Sequence, residues 1–268
     1  VGGIPEVRNY TSVLPWNDLE LLEALLKREA AETAAVIMEP INYNSGCILP
    51  VPGYLEGVRE LTRQHGVLLI FDEILSGFRT GPGCAQGYFG VTPDLSTLGK
   101  ALAGGVPLAA LVGRQEVMET LAPIGDVMDQ GTYYGHPLAM HAAEAFLEVA
   151  GDPERWVEQE RIEQRLYGEL HEIFRRHNAG HVQALGNRFS LLFGIDEPVQ
   201  EWRQAALVDR ELALRFHAAA FERGVCIMHG WHHGFSWVHT EDDIDFALAG
   251  IEAALQEVAP DIRFVSVE

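Results

Sequence analysis

The chain has 268 residues, 47% of them apolar, and a formal net charge of −20, enough for one large domain or two modest ones. That charge excludes nucleic acid and anionic membrane surfaces as partners, because both attract positive protein. Cys47, Cys84 and Cys226 share no metal-like spacing, no apolar run reaches bilayer length and the N-terminus lacks signal-peptide character, so a soluble cytoplasmic protein with reduced thiols is expected.

Asn17 followed by Glu20 predicts a helix cap, and Leu19, Leu22, Ala24 and Leu26 continue the helical pattern. Residues 34–38 form an apolar run that predicts a buried strand ending at Glu39-Pro40. Residues 54–65 predict an amphipathic helix with Leu55, Val58 and Leu61 on one face and Gly66 as its stop. A second continuous apolar run, 67–71, has the character of a strand covered on both faces. Strand, helix, strand in this order predicts a parallel pair with a right-handed crossover. Glu39 and Asp72 then emerge at the carboxyl ends of the strands, the edge where open α/β sheets bind ligands.

Further strands and helices follow. Residues 108–112 predict a strand, and 137–149 a helix with proline in its first turn. Gly151-Asp152-Pro153 punctuates the chain and divides it into expected domains 1–150 and 151–268. Beyond lie a long charged helix over 154–177, strands over 181–185 and 189–193, a helix over 207–223, a strand over 225–228 and a helix over 242–258. Thr240-Glu241-Asp242-Asp243 supplies the cap and acidic first turn of that last helix. No internal repeat or low-complexity segment interrupts this pattern.

The chemistry concentrates around Lys100, in Ser96-Thr97-Leu98-Gly99-Lys100-Ala101-Leu102-Ala103-Gly104-Gly105. A lysine between a small apolar run and a glycine pair sits on a tight turn. Upstream, Phe71-Asp72-Glu73-Ile74 sets a carboxylate at the end of an apolar run. An amine and an acid so placed can hold pyridoxal phosphate: the amine forms the Schiff base and the acid partners the ring nitrogen. Ile74 faces the same way as Asp72 if the strand persists, so its side chain could pack on the ring. The plain alternatives are a solvated surface lysine, a strand-end aspartate capping the next turn, and an ordinary core isoleucine.

Phe71-Asp72-Glu73-Ile74-Leu75-Ser76-Gly77-Phe78-Arg79 and Thr92-Pro93-Asp94-Leu95-Ser96-Thr97-Leu98-Gly99-Lys100 resemble the signature of class III pyridoxal-phosphate aminotransferases. Gln130-Gly131-Thr132 and then Gly135-His136-Pro137-Leu138-Ala139-Met140 resemble that family's later motif. Glu39-Pro40 followed by Asn44 and Gly46, together with residues 235–243, are most similar to the glutamate-1-semialdehyde aminomutase branch. The resemblance implies an α/β fold of pyridoxal-phosphate fold type I, like aspartate aminotransferase. Its large domain holds a mostly parallel sheet with helices on both faces, and a smaller α/β domain follows.

It also implies a cofactor, pyridoxal 5'-phosphate, and small-molecule amine and keto or aldehyde substrates. Lys100 would hold the cofactor and shuttle the substrate proton, and Asp72 would keep the ring nitrogen protonated. Thr132 resembles the threonine that reaches across a homodimer to the partner's cofactor phosphate, although a helix-entry threonine would look the same. Asn44 matches an asparagine near the ring, or a turn residue. Glu39 and Arg79 match the family's strand-end glutamate and motif arginine, with structural roles open beside functional ones.

Two departures stand out. Where the aminomutase branch usually carries a glutamate, Trp231-His232-His233-Gly234-Phe235 sets His232, which supplies no fixed negative charge. His229, His232 and His233 lack an acidic or cysteine partner at ligand spacing, so no metal is expected and a substrate-pocket lining is favoured. Arg188 could pair a substrate carboxylate, or be a surface arginine. The second departure is length. The resemblance implies that the chain covers about the C-terminal three-fifths of such an enzyme and begins after its phosphate loop. The expected function is therefore amino-group transfer through Lys100. A 2,1-aminomutase is the alternative within the same chemistry, and a catalytically incomplete dimerisation or scaffold fragment the alternative outside it.

Overall fold

In the computed structural model, residues 4–227 and 230–266 are described. Strands β1 (Ala35–Met38), β2 (Leu68–Glu73), β3 (Leu95–Leu98) and β4 (Ala110–Gly113) form a sheet in the order β1-β2-β3-β4. β1 pairs parallel with β2 and β2 parallel with β3, whereas β4 returns antiparallel. The helix Tyr54–His65 makes the crossover between β1 and β2. Its Leu55 and Val58 pack with Leu22 and Leu26 of the helix Leu19–Glu29 and with Leu69 and Phe71 of β2. Gly66 ends the crossover helix with φ 69°, a left-handed conformation that glycine adopts without a Cβ penalty.

Two expectations need correction here. The helix cap is Asp18, whose carboxylate accepts from the Leu21 amide at 2.9 Å. Asn17 instead ties distant segments together, donating to the carbonyls of Leu49 and Gln200 and accepting from the Val51 amide. The sequence pattern does not predict β3, the strand leading into Lys100. Its Ser96 and Thr97 interrupt the apolar run by which a buried strand is recognised.

The remainder of the chain builds a second sheet in the order β5 (Gly180–Leu185), β6 (Arg188–Phe193), β7 (His233–Gly234), antiparallel throughout. The helices Pro153–Arg176, Arg210–Glu222 and Glu241–Val258 cover it and share one apolar core, which includes Leu170, Phe174, Phe193, Phe216, Ile251 and Leu255. Thr240 and Asp243 form a capping box at the start of the last helix, as the sequence suggests. The strand expected over 225–228 does not form at 225–227, and Met228 lies outside the described residues. No helix among the described residues is long and apolar enough to cross a membrane.

Side chains join the two sheets. Tyr43, after β1, donates its hydroxyl to the Leu185 carbonyl of β5 at 2.8 Å. Gln183 of β5 donates to the Cys47 carbonyl at 3.1 Å. Ile48 packs in one cluster with Leu192 and Ile195. The loop at the carboxyl end of β1 is thus clamped against β5 and β6.

Candidate active site

The parallel register sets Asp72 of β2 opposite Thr97 of β3, and Lys100 follows two residues beyond the end of β3. Acid and amine therefore leave the same edge of the sheet on neighbouring strands. Gly99 is extended and Lys100 turns into the left-handed region with φ 46°. A Cβ on Gly99 would meet Ile74 Cδ1 at 3.0 Å, so Ile74 lies directly against the residue before the lysine. A Cβ at position 99 would make the Ile74 side chain give by a few tenths of an ångström.

Asp72 is held by its Oδ1, which accepts from the Ile74 amide at 3.0 Å and the Thr97 hydroxyl at 3.1 Å. Its Oδ2 takes no hydrogen bond among the described residues and is free for a ligand. Glu73 alternates to the opposite side of the strand, where it is fully buried. There it accepts from the Ser76 hydroxyl at 3.1 Å and from the amides of Ala85 and Gln86 at 2.7 and 3.2 Å. This carboxylate shapes the loop that carries Ile74 and Arg79. In the sequence Glu73 stands beside Asp72 with no local signal of this buried role.

Charges gather around Lys100. The protein packed to one side lowers the ammonium below the ordinary lysine range; Glu39 and Asp72 oppose that shift, and Arg79 and Arg188 add to it. Burial raises Glu39 above the usual carboxylate range despite the hydrogen bond from Asn44 Nδ2 at 3.0 Å, and Asp72 pushes it the same way. Burial and the nearby Arg188 bring Arg79 down to about 10, still a cation at neutral pH. Burial, with Arg188, Lys100 and Arg79 adding to it, takes His232 down to about 4, so its imidazole is neutral. Arg188 Nε is buried without a hydrogen-bond partner among the described residues, and so is His232 Nδ1. Arg79 Nε donates to the Leu75 carbonyl at 3.2 Å, and neither Arg79 nor Arg188 forms an ion pair with a carboxylate among the described residues.

The structure thus brings together Lys100, Asp72, Ile74, Glu39, Asn44, Arg188 and His232, and adds Arg79 to them. Asn44 enters through Glu39. Thr132 stays apart: it is exposed in the turn before the helix Pro137–Ala150, beside the exposed Tyr133 and Tyr134. Among the described residues no cluster of His, Cys, Asp or Glu could hold a metal ion, and His229 lies outside them.

A model of the class-III aminotransferases matches residues 5–255. The chain belongs to the class-III aminotransferase family. Among its relatives, glutamate-1-semialdehyde 2,1-aminomutase 2 of Exiguobacterium sibiricum is 38% identical over 262 residues, which are 96% of this chain and 59% of the relative. An omega-transaminase from Sphaerobacter thermophilus superimposes with a TM-score of 0.90 at 30% identity, over 96% of this chain and 60% of that one. A glutamate-1-semialdehyde aminomutase (K286A) from Pseudomonas aeruginosa PAO1, solved in complex with PMP, gives 0.85 at 26% identity, over 96% and 59%. The chain therefore spans about three-fifths of the length of these relatives. The α/β architecture of this class-III chain is the pyridoxal-phosphate fold type I of its structural neighbours.

Next to the class-III motif lies a buried polar relay that sequence patterns did not reveal. Gln159, on the helix Pro153–Arg176, is 3% exposed. Its Nε2 donates to the Arg79 carbonyl and to Glu163 Oε1, both at 2.7 Å, and its Oε1 accepts from Trp237 Nε1 at 2.7 Å. Burial raises Glu163 to about 7, with Gln159 opposing and Glu160 adding to the shift. The folded chain holds this proton more tightly than the unfolded one, whose ordinary value is 4.5. Stability is therefore expected to fall as pH rises from about 4.5 through about 7 and to level off above. Solvent reaches part of the group, so the loss should be about 1–2 kcal/mol. Urea unfolding of E163Q across this range should lack that component of the slope; an unchanged slope would assign the pH dependence elsewhere.

Proposed function

We propose that this chain carries the amine-handling site of a pyridoxal-phosphate-dependent aminotransferase, which moves an amino group from an amino donor to a keto or aldehyde acceptor. The observation that carries this reading is the convergence of Lys100 and Asp72 from adjacent parallel strands, with Ile74 laid against Gly99. The residues fit the cofactor's chemistry: one amine of lowered proton affinity, and one carboxylate with an oxygen left over. When bound, pyridoxal 5'-phosphate supplies an aldehyde and an electron-drawing ring.

Lys100 would supply the amine that holds the cofactor through its aldehyde and, when released as a free base, would carry the proton at the reacting carbon of the substrate. Asp72, through its remaining Oδ2, would hold the ring nitrogen and keep its proton. Ile74 lays apolar surface against Gly99, next to the amine. Asn44 fixes Glu39, which together with Asp72 offsets the cationic charge around the amine. Arg188, with no acidic partner among the described residues, suits a substrate carboxylate, and the neutral His232 beside it suits a hydrogen bond to the same group. Residues 1–150 would form the cofactor-holding part, and 151–268 the smaller domain packed on it.

A homodimer accompanies this reading. Ile124, Met128, Tyr133, Tyr134 and Leu138 are all exposed on the segment around Thr132, an apolar patch of the kind that marks an interface. Thr132 would there reach the cofactor phosphate of the partner subunit. The free thiols of Cys47, Cys84 and Cys226 suit a reducing cytoplasm.

The aminomutase alternative draws support from the 38% identical relative of that name; a neutral His232 weighs against it. The test is the purified protein with cofactor, an amino donor and an oxo acceptor. Obligate two-substrate exchange, with borohydride fixing the cofactor on the Lys100 peptide, is the expected result. Turnover of a single amino aldehyde would favour the mutase, and absence of any fixed cofactor would leave an inert module.

A further inference from the structure

The Arg79 main chain is held from across the molecule. Its carbonyl accepts from Gln159 Nε2 at 2.7 Å and from the Asn187 amide at 3.3 Å. It also fills the space where a Cβ on Gly186 would lie, 2.4 Å from the oxygen, so only glycine permits the approach. Gln159 has no slack in this arrangement. Both acceptors, the Arg79 carbonyl and Glu163, sit on its nitrogen, and the indole N–H of Trp237 sits on its oxygen. Trp237 in turn packs edge-on against Trp156 and stacks over Phe146, which meets Phe78, the residue before Arg79. Turning the amide over would set donor against donor and acceptor against acceptor.

We propose that Gln159 is a positioning residue: it pins the Arg79 main chain and so fixes the loop from which the Arg79 guanidinium, donating from Nε to the Leu75 carbonyl at 3.2 Å, joins the groups around Lys100. The groups that bear on the Lys100 amine are Glu39 after β1, Asp72 on β2, Arg79 in the following loop and Arg188 on β6, and its own charge acts on His232. Of these, Arg79 is the one whose backbone this relay grips. Glu163 backs the relay, facing Gln159 and Glu160 on its own helix, Tyr167 one turn on, and Tyr43 from the loop after β1.

The sequence offers a clean probe, since Lys27 and Lys100 are its two lysines. Lys27 is an exposed residue paired with Glu23 at 2.7 Å and serves as the internal reference. The experiment is competitive acetic-anhydride labelling across pH, read by mass spectrometry on the two lysine peptides, without cofactor or substrate. A wrong cofactor assignment therefore would not affect its outcome. Q159M keeps the volume and removes the grip. It should move the Lys100 midpoint upward and lower Lys100 labelling near pH 8 by about two- to threefold relative to Lys27. R79M should do the same, and adding Q159M to R79M should change nothing more. An unmoved Lys100 in folded Q159M, or a full shift from Q159M in the R79M background, overturns the proposal, because a merely structural role predicts those results. Should Q159M not fold, W237F frees the amide oxygen and must shift Lys100 in the same direction; no movement there overturns the proposal equally.

Discussion

Replacing Lys100 with alanine is expected to lower kcat for amino-group transfer by at least about 10⁴-fold, with little change in the urea midpoint. Two losses combine. A positioned general base contributes about 10²–10⁴-fold by itself, and in the proposed role the same amine would also make the covalent tether. Lys27 cannot substitute, being exposed on the helix Leu19–Glu29 and engaged with Glu23. The fold should tolerate the change, because Lys100 is exposed and alanine meets the same left-handed backbone. Steady-state kinetics with donor and acceptor checks the first half, and urea unfolding the second. A variant within tenfold of the parent would remove Lys100 from the chemistry.

Asp72→Asn is the next largest expected effect, a fall in kcat of about 10²–10³-fold. Asparagine retains an oxygen for the Ile74 amide and the Thr97 hydroxyl, so the loop after β2 should keep its shape. What it lacks is the fixed negative charge. A carboxylate at contact raises the proton affinity of a ring nitrogen by about 1–3 pH units, and losing that leaves the ring a weaker electron sink. Cofactor titration separates the two roles: D72N should bind the cofactor measurably but turn over slowly. Full activity in D72N would reduce Asp72 to a turn cap.

Much of this site can be read from the residues before any coordinates. The helix Tyr54–His65 has both ends signalled, by its apolar face and by Gly66, and it fixes the crossover that brings Glu39 and Asp72 to one edge. Lys100 stands out because a lysine between small residues and paired glycines has little structural purpose. The failures share a cause. β3 hides because Ser96 and Thr97 satisfy their hydroxyls inside the fold, as Ser96 does with Gln86 and Thr97 with Asp72. Asn17 looks like a cap, yet its partners are Leu49 and Gln200, far away along the chain. Gln159 sits among Glu158, Glu160 and Arg161 and looks like one more solvated polar residue. Its burial follows from the docking of Arg79 and Trp237, which no local pattern announces.

The left-handed turn at Lys100 carries a consequence for how this protein would respond to selection. A side chain with a Cβ in that conformation costs about 1 kcal/mol that glycine would not incur. Thermal enrichment of a mutant library would therefore favour glycine at this position, and under the proposed role of Lys100 heat tolerance would be gained by erasing the chemistry. Thermostability and turnover pull in opposite directions at position 100, so any effort to harden this molecule must search elsewhere along the chain.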